Sequence, residues 1–432
     1  MSTRRVRVVV VNLDGGDLTL ACLDSLHRAT TPDGVVLEVV LVDNASTDGV
    51  ADAVESDPAG VRVVRSATNL GFAGGCNLGI GDVDEVDFVA LVNPDARVHP
   101  EWLGGLVGAL DGDAGVGAAS PKLLFGSPFR RIHLAVEPAV AGTSRRRSRG
   151  VRVSGFQVAG ELAEQVQLVE GFGGREPGLR NDEPWYQCVA GTATVHVPVD
   201  ADRPAPSVRA RLGSDRPTRL TATSGARSET LTVSRGDDWY ELPLDGEPFD
   251  VINNVGTVVL PGGYGADRGF QEPDEGQYER PEDITAWSGG AVLLSARYLA
   301  DAGRFDDTLF LYYEDLDLAL RGARLGWRYR YVPSSVVRHA HSATAVAGSE
   351  IAEHYKERNR LAVRLRHGGT LAAARASVRY LVATVAYFRR DVLARWFRGQ
   401  PARGVIVIRR LRAFGAFLRL APRMRRSPTG AA

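Results

Sequence analysis

With 432 residues, 44% of them hydrophobic and 24% charged, the chain has the composition of a globular protein, and about one domain per 150 residues predicts two or three domains. Every window of about 20 residues contains charge, which argues against a membrane-spanning helix. The apolar run near the N-terminus is too short for a signal peptide, and we interpret it as a first strand. The three cysteines, Cys22, Cys76 and Cys188, are scattered and odd in number, which favours a reducing, cytoplasmic compartment over a disulfide framework.

Basic residues are concentrated near the C-terminus. From Lys356 to Arg426 the sequence has 19 Lys and Arg residues and two acids, Glu357 and Asp391, whereas the whole chain has 52 residues of each sign. Residues 1–355 therefore carry 33 basic and 50 acidic side chains, a net charge of −17. This asymmetry indicates an anionic partner for the C-terminal region.

The first 125 residues alternate between strand and helix patterns. In chain order, the predicted elements are the strand Val6–Asn12, the helix Asp17–Arg28, the strand Leu37–Val42, the helix Ser46–Glu55, the strand Val61–Arg65, a helix starting within Gly75–Gly81, the strand Phe88–Val92 and the helix Trp102–Leu110. Such alternation predicts a mostly parallel sheet covered on both faces, with ligands at the carboxyl ends of its strands. Asn12, Asp43 and Asp95 each follow a predicted strand, so one crevice is expected to hold all three.

The pattern then changes to a period of two, with short predicted strands separated by turns. They are Ala193–Val199, Ser207–Leu212, Arg219–Thr223, Glu229–Val233 and Trp239–Leu244. Several short strands at about ten-residue spacing predict a β-sandwich. We therefore expect a discontinuous α/β domain formed by residues 1–126 and 249–349, an inserted β-rich module at 127–248 and a basic helical region at 350–432.

Two acidic stretches are candidates for chemistry, although each also has a structural interpretation. In LVNPDARVHP, a strand runs into Asn93 and Asp95, where paired acids often hold a divalent metal, yet one of the two is an amide. In LYYEDLDLALRG, Glu314, Asp315 and Asp317 lie at a predicted helix start. Acids there are stabilised by the helix dipole, or one of them acts as a general base.

These stretches belong to an ordered set of motifs that closely resembles the inverting family 2 nucleotide-sugar glycosyltransferases of the GT-A fold, and among them the rhamnosyltransferase- and galactofuranosyltransferase-like enzymes of bacterial cell-surface assembly. The resemblance covers about residues 5–125 and 250–365. The motifs are VVVVNLDG, VDNASTDG, NLGFAGGCNLGI, VNPD, the Trp287-Ser288-Gly289-Gly290 segment, RFDDTLFLYYEDLDLALRG and RHAHS. Each motif is weak alone, and the order makes the set specific.

The resemblance implies a role for each matching residue. It assigns general-base chemistry to Asp315 with its neighbour Glu314, and metal binding to Asp95 and His339. It assigns contact with the acceptor or donor sugar to Trp287, Gly289 and Gly290. The residues that it assigns to the nucleotide sugar are Asn12, Asp43, Asn69, Gly74, Asn77 and Asn93. Asp95, His339 and diphosphate oxygens, completed by water, would suffice for Mg²⁺, and a histidine ligand modestly favours Mn²⁺.

The function implied is transfer of a sugar with inversion, from a nucleotide-diphosphate sugar such as dTDP-rhamnose or a UDP-sugar, to a glycan or polyprenyl-linked acceptor. An alternative is a non-catalytic protein that binds glycans or nucleotide sugars through the β insertion. A sugar-1-phosphate nucleotidyltransferase is disfavoured because Asn12–Leu18 has no Lys or Arg for a triphosphate. No nucleic-acid partner is expected.

Two C-terminal segments, Ala374–Phe397 and Val405–Leu420, interleave apolar residues with arginines. Both can form helices with an apolar stripe and a cationic edge, which is typical of a segment lying in a membrane interface. The sequence therefore predicts a peripheral protein at the inner face of the cell membrane. The alternative is that these helices pack on the catalytic domain and their arginines are merely solvated.

Overall fold

A computed structural model of the chain describes residues 3–56, 60–137, 150–163, 165–173, 187–200, 204–340 and 349–426. It separates into two compact units. The first comprises Met1–Gly126, Ile252–Phe270 and Gly276–Ala432, and the second comprises Ser127–Val251 and Gln271–Glu275. The C-terminal helices belong to the first unit, and the three-part division with the boundaries given above stays a prediction. Of the RHAHS motif, His341 and Ser342 lie outside the described residues.

The first unit begins with alternating strands and helices. In chain order these are β1 (Arg4–Asn12), α1 (Gly16–His27), β2 (Val35–Asp43), α2 (Val50–Glu55), β3 (Val61–Arg65), α3 (Gly71–Ile80), β4 (Phe88–Val92), β5 (Ala96–Val98), α4 (Trp102–Asp111) and β6 (Val116–Phe125). A short 3₁₀ helix at Val83–Glu85 precedes β4.

The second unit contains only strands in its described part. They are β7 (Phe129–Val136), β8 (Val151–Val158), β9 (Glu161–Leu162), β10 (Gln167–Phe172), β11 (Gln187–Pro198), β12 (Val208–Ser214), β13 (Thr218–Ser224), β14 (Arg227–Val233) and β15 (Gly236–Leu242). All pairings among these strands are antiparallel, and one core gathers their inward-facing Val, Leu, Ile and Ala side chains.

The chain then returns to the first unit. Its remaining elements are β16 (Ile252–Asn254), β17 (Thr257–Leu260), β18 (Tyr264–Asp267), β19 (Glu282–Ile284), β20 (Ala291–Ser295), α5 (Ala296–Ala302), α6 (Glu314–Arg324), β21 (Arg328–His339), α7 (Glu350–Phe388), α8 (Ala394–Trp396) and α9 (Val405–Arg426). A 3₁₀ helix at Asp307–Leu309 precedes α6, and a π-helical turn at Arg389–Leu393 joins α7 to α8.

The mixed α/β fold with its Rossmann-like sheet is confirmed. Within the described residues the sheet has ten strands, in the order β19-β21-β6-β20-β4-β1-β2-β3, with β16 beside β6 and β5 beside β21. Strands β4, β1, β2 and β3 are parallel neighbours, while β20 runs antiparallel to β4 and β6. Strand β4 is buried along its whole length, as expected for a strand covered on both faces. This arrangement agrees with the GT-A architecture that the resemblance implies.

Three local predictions differ from the structure. Helix α2 begins at Val50, because Ser46 bonds Asp43 instead of capping a helix. Helix α3 begins earlier than predicted, at Gly71. The β-rich insertion is confirmed, but in its described part hydrogen bonds connect the strands into one nine-stranded sheet, where an ordinary sandwich has two.

The C-terminal helices pack partly against each other. Tyr380 of α7 and Phe417 of α9 are buried in a shared core, and the Arg410 guanidinium lies over the Tyr380 ring. Gly369 interrupts α7 with φ 77° and ψ 176°, so that element consists of two helical segments. In the described part of the chain, no helix has the length and apolar character required to cross a membrane.

Candidate active site

Asn12 and Asp43 lie side by side at the carboxyl edge of the sheet, since the β1–β2 register pairs them directly. Asn12 is fully buried and its amide is saturated with protein partners: Oδ1 accepts from Gly15 N–H at 3.1 Å and Thr19 Oγ1 at 2.7 Å, and Nδ2 donates to Ser46 and Asp48. Asn12 therefore organises the loops after β1 and β2 and has no polar group left for a ligand.

Asp43 and Asn69 lie next to the same loops. The Asp43 carboxylate accepts from Ser46 N–H at 2.9 Å and from Arg65 at 3.3 Å, and it is almost fully buried. Asn69 Oδ1 accepts from Gly71 N–H at 2.8 Å and from Asn44 Nδ2 at 3.2 Å. The Asn69 bonds fix the start of α3, the helix formed by the glycine-rich stretch Gly71–Ile80.

The glycines of α3 allow the helix to approach the sheet closely. A Cβ atom at Gly75 would lie 2.6 Å from Val11, and one at Gly79 would lie 2.3 Å from Val9. Gly74 is equally constrained, because its Cβ would lie 2.8 Å from Leu70 Cβ. Packing alone explains these glycines, so their presence does not by itself indicate a phosphate site.

Asn77 points away from the sheet edge and ties α3 to the segment before α6. Its Nδ2 donates to the Phe305 carbonyl at 2.9 Å and to the Asp307 carboxylate at 2.5 Å, and its Oδ1 accepts from Phe305 N–H at 3.1 Å. The structure therefore places Asn77 in a structural link between the glycine-rich loop and the loop that leads to the acidic motif.

Two consecutive glycines connect the acidic motif to the end of β4. The N–H of Gly289 donates to Asp315 Oδ2 at 3.0 Å, and the carbonyl of Gly290 accepts from Asn93 N–H at 3.0 Å. A side chain at Gly289 would have its Cβ 3.0 Å from the Phe72 ring and 3.6 Å from the Asp315 carboxylate. Residues far apart in sequence thus meet, and a side chain at Gly289 would crowd the Phe72 ring.

Glu314 and Asp315 occupy the first turn of α6 and differ in environment. Burial raises the pKa of Glu314 well above its usual value, and the charge of Asp315 raises it further. Burial also raises the pKa of Asp315, but N–H groups of Gly289 and Leu316 donate to its carboxylate and oppose that rise. The pKa of each acid is raised, but the opposing N–H donors act on Asp315, so burial favours the protonated form more strongly at Glu314 than at Asp315.

His339, at the end of β21, meets the residues that follow β4. Its Nε2 lies 3.0 Å from Asp95 Oδ1 and 3.1 Å from Asn93 Nδ2, and its Nδ1 lies 3.2 Å from Asn253 Oδ1. An amide oxygen only accepts, so Nδ1 donates to Asn253, and Nε2 is the ring nitrogen that faces Asp95. This is the orientation in which a second partner fixes a metal-binding histidine.

Asp95 and His339 have a geometry suited to one divalent ion. Asp95 Oδ1 and His339 Nε2, 3.0 Å apart, are an oxygen and a nitrogen donor of the kinds that bind divalent cations, and they are close enough to bind the same ion. Within the described residues, Asn93 Oδ1 is buried without a hydrogen-bond partner. The same residues contain no cluster of three or more His, Cys, Asp or Glu able to hold a metal. Asp95 and His339, to which the resemblance assigns metal binding, lie together, and an ion bound by these two would need further ligands.

Trp287 lies away from any ligand-accessible surface. Its side chain is fully buried, and its ring packs edge-on against Phe305 at 6.2 Å between centroids. The Trp287 side chain belongs to the hydrophobic core, and its expected contact with a sugar stays a prediction. The Trp-Ser-Gly-Gly sequence would look the same whether the tryptophan lies in the core or contacts a sugar.

Three polar residues near the site were missed from the sequence. Asn253 contacts His339, and Asn254 donates to the Asp267 carboxylate at 2.5 Å. The pKa of Asp267 is raised by loss of water and also by the charge of Asp315, so the two acids lie within electrostatic reach. The signal available was the Asn253-Asn254 pair, which is buried in an otherwise apolar strand.

Family models match two separate segments of the chain. The model described as glycosyl transferase family 2 matches residues 7–156, and the model described as glycosyl transferase family group 2 matches residues 273–415. The segments do not overlap and together span more than half of the chain.

Two curated relatives are similar to a shorter stretch. They are the N-acetylglucosaminyl-diphospho-decaprenol L-rhamnosyltransferases of Mycobacterium tuberculosis strains CDC 1551 / Oshkosh and ATCC 25618 / H37Rv, each 41% identical over 81 residues. That stretch is 18% of this chain and 25% of each relative, so the chain spans about a quarter of the length of the curated relatives it matches.

Solved structures show distant likeness. A GalNAc-T7 structure with UDP, GalNAc and Mn²⁺ has a TM-score of 0.43 at 13% identity, covering 84% of this chain and 48% of that one. The mannosyltransferase PcManGT from Pyrobaculum calidifontis, in complex with GDP-Man and Mn²⁺, has a TM-score of 0.40 at 15% identity, covering 98% and 88%. Because both matched family segments contain a motif of the site, Asn93–Asp95 in one and Glu314–Asp315 in the other, the chain belongs to the family 2 glycosyltransferases.

Proposed function

We propose that the chain is an inverting glycosyltransferase that moves a sugar from a nucleotide-diphosphate sugar to a hydroxyl group of a lipid-linked or glycan acceptor in cell-envelope polysaccharide synthesis. The observation that supports this most is the Gly289–Gly290 link, which joins the Asp315 carboxylate to the Asn93 turn. A base for the acceptor must adjoin the donor diphosphate, because the bonds that form and break share one anomeric carbon.

Asp315 is the proposed general base. As the acceptor oxygen bonds to the anomeric carbon, its proton passes to the Asp315 carboxylate. The bond from that carbon to the diphosphate oxygen breaks, and its electron pair leaves with the nucleoside diphosphate. One displacement inverts the anomeric centre, and no carboxylate nucleophile is required. Glu314 keeps its own proton and so leaves Asp315 as the ionised acid of the pair.

Asp95 and His339 are the proposed protein ligands of a divalent cation, Mn²⁺ or Mg²⁺. When bound, such an ion offsets the negative charge of the departing nucleoside diphosphate. Asn253 orients His339 from its other ring nitrogen, and the Asn93 amide lies beside both ligands. The unpartnered Asn93 Oδ1, seen within the described residues, is suited to a ribose hydroxyl or a metal-bound water.

We propose two kinds of nucleotide-site residue. The exposed Asn69 and the neighbouring Asp43, which is almost fully buried, are the candidates for direct contact. Asn12, Gly74 and Asn77 act indirectly, since their side chains or packing shape the loops. Gly289 and Gly290 hold the backbone between donor and acceptor.

The names of the relatives suggest the substrates. Both are rhamnosyltransferases that act on a diphospho-decaprenol acceptor, so dTDP-rhamnose and a polyprenyl-diphosphate glycan are the first pair to test. The test measures nucleoside diphosphate released from a panel of dTDP-, UDP- and GDP-sugars with and without acceptor. Release that depends on acceptor supports the proposal. Binding of nucleotide sugars without turnover of any donor would replace it with the non-catalytic alternative.

The C-terminal helices support a proposed membrane contact. One face of α7 and α9 packs in the shared core, whereas other apolar residues of these two helices are exposed, namely Leu371, Val378, Val382, Val405 and Ile408. Trp396 at the end of α8 and the adjoining Phe397 are 67% and 77% exposed. Arginines flank these residues throughout 375–426. Apolar side chains with a cationic border suit an anionic membrane interface, where each Arg contributes about 1 kcal/mol before screening.

Vesicle sedimentation tests this contact with the full chain. The protein should sediment with vesicles of phosphatidylcholine and phosphatidylglycerol at low salt and less at high salt. Trp396→Ser combined with Phe397→Ser should release it. Leu162→Ser, which removes a 73% exposed apolar residue from the other unit, is the matched control. Equal sedimentation of all variants would assign these residues no membrane role.

A further inference from the structure

The segment before α6 has an unusual backbone. Phe310, Tyr312 and Tyr313 all have positive φ, at 64°, 65° and 73°. Phe310 has ψ −62°, and the N–H of Leu311 donates to the Leu309 carbonyl at 2.7 Å, which forms a three-residue γ-turn. Side chains other than glycine rarely adopt this region, and strain of this kind persists only where surrounding contacts impose it.

Helix α7 supplies those contacts. The buried Asn359 donates from Nδ2 to the carbonyls of Leu309 at 2.7 Å, Leu311 at 2.9 Å and Tyr312 at 2.7 Å. An amide has two N–H groups, so one is shared between two carbonyls. All three hydrogen bonds of this amide nitrogen therefore go to carbonyls in or next to the strained turn.

Arg358 fixes the orientation of that amide. Its Nε donates to Asn359 Oδ1 at 2.7 Å, which keeps Nδ2 directed at the turn, and its NH2 nitrogen donates to the carbonyls of Thr308 at 2.8 Å and Leu309 at 2.9 Å. The Arg358 guanidinium also lies 4.6 Å over the ring of Tyr355, which stacks on Phe310 at 4.9 Å. Arg358 and Asn359 therefore hold the turn by hydrogen bonds to its carbonyls, and Arg358 also contacts the Tyr355 ring that stacks on Phe310.

The turn lies between the catalytic acids and the glycine-rich loop. Tyr313 precedes Glu314 directly, and its carbonyl accepts from Asp317 N–H in the first turn of α6. On the other side the Phe310 carbonyl accepts from Ala73 N–H at 3.2 Å. A Cβ atom at Gly71 would lie 2.3 Å from that carbonyl. A shift of the turn would consequently move both α6 and the start of α3.

We propose that Arg358 and Asn359 are positioning residues, which hold the Phe310–Tyr313 turn in its strained form and thereby aim the Asp315 carboxylate at the acceptor. The inference rests on the proposed transferase function for its kinetic consequence, and it makes the C-terminal helix part of the active site. A misplacement of about 1 Å can cost up to about 10²-fold in rate, so a loosened turn should lower kcat by about 10–100-fold and leave the donor KM nearly unchanged.

The experiment compares Asn359→Leu, which keeps side-chain size and removes the donors, with Arg358→Lys and the control Thr384→Val. Thr384 is buried in the same helix and bonds Tyr380 and Arg410 without touching the turn. Hydrogen–deuterium exchange over residues 309–317 reports opening of the turn without substrate. Steady-state kinetics with the nucleotide sugar that the wild-type chain turns over reports kcat and KM.

The expected result is exchange at least about tenfold faster at 309–317 in Asn359→Leu, with a low kcat and an unchanged donor KM. Arg358→Lys should be intermediate and Thr384→Val close to wild type. Wild-type kcat in Asn359→Leu, or an equal loss in Thr384→Val, overturns the proposal. If the wild-type chain turns over no nucleotide sugar, the transferase proposal fails, while the exchange comparison still decides whether the two residues hold the turn.

Discussion

The two sides of the site, the loops after β1 and β2 and the region around β4 and α6, satisfy their polar groups differently. On the first side Asn12 is buried and each atom of its amide has a protein partner. On the second side, within the described residues, Glu314 Oε2 and Asn93 Oδ1 are buried without a hydrogen-bond partner. Buried polar atoms are almost always paired, so exceptions need an explanation.

The contrast separates residues that build the site from residues that meet the substrate. On the first side the Asn12 amide is complete without a ligand, because all its hydrogen bonds are made within the folded chain. The second side has polar capacity that a proton, a cation or a substrate would satisfy. The resemblance gave Asn12 and Asn93 the same nucleotide-contact role, whereas their surroundings favour a structural role for Asn12 and a ligand role for Asn93. Substitutions on the two sides should therefore have different consequences.

The largest effect is expected from Asp315→Asn. The amide keeps the shape of the carboxylate and loses the ability to accept a proton, so kcat should fall by about 10²–10⁴-fold with the donor KM near wild type. Acceptor-dependent release of nucleoside diphosphate measures this. Asp317→Asn is an unsuitable control because Asp317 pairs with Arg366 and His367 inside the core. Asp307→Asn, which changes a nearby acid outside the pair, serves instead. A rate near wild type would remove Asp315 from the base role.

A smaller but clear loss is expected from Asp95→Ala. The substitution removes one of the two proposed protein ligands, so the metal concentration for half-maximal activity should rise by about 10–100-fold or more. Mutation of a residue that only hydrogen-bonds to a metal ligand already lowers metal affinity by about 10–100-fold. Titration of Mn²⁺ into chelator-treated protein measures the change, and His339→Ala should behave similarly. Tryptophan fluorescence during the same titration gives a readout without turnover. Full activity in excess chelator would contradict the metal proposal.

Sequence patterns predicted the sheet well because buried parallel strands leave a plain signal. The Val-rich β1 and the apolar β4 were found nearly to the residue, and their ends placed Asn12 and Asp95 at one edge. The resemblance gave Asp315 and Asn93 separate roles in one site, and the Gly289–Gly290 link joins the two residues although 222 positions separate them in the numbering.

The sequence patterns could not predict the hydrogen-bond partner of each polar side chain. Ser46 was expected to lie inside helix α2, yet its hydroxyl is bound to Asn12, whereas Asp48 accepts hydrogen bonds both from Asn12 and from the N–H of Val50 at the start of that helix. Trp287 suited a sugar platform and lies in the core. Asn359 carried no motif, and its contacts depend on how α7 lies against a turn about 50 residues earlier. Such contacts are decided by packing, which local periodicity does not encode.

In the loops after β1 and β2, Asn12→Ala should lower the stability of the fold more than it lowers kcat. It leaves Thr19, Gly15 and Ser46 without their common partner, at about 1–3 kcal/mol for each buried group left unsatisfied. Thermal unfolding should show a reduced Tm, while the folded fraction should keep a kcat within a few-fold of wild type. Asn69→Ala, an exposed amide at the neighbouring loop, is the control and should affect the donor KM more than the Tm. The reverse pattern would show that Asn12 contacts the nucleotide.

The smallest effect on rate is expected from Glu314→Gln, because glutamine matches the protonated acid that burial favours at this position. Activity near neutral pH should stay within a few-fold of wild type, in contrast to Asp315→Asn. Stability should respond to pH with a defined sign. The pKa of Glu314 is higher in the folded chain than in the unfolded chain, so the folded state binds a proton that the unfolded state releases above about pH 4.5.

That difference stabilises wild type fully below the unfolded pKa and is lost as pH rises through the folded pKa, with a tenfold difference in proton affinity worth about 1.4 kcal/mol. Glutamine has no such proton to lose. Relative to wild type, the variant should therefore gain stability as pH increases above about 4.5. Urea unfolding at several pH values measures the difference. If the two proteins change in parallel across this range, Glu314 is ionised in the folded chain, and the ionised base of the pair can no longer be assigned to Asp315 alone.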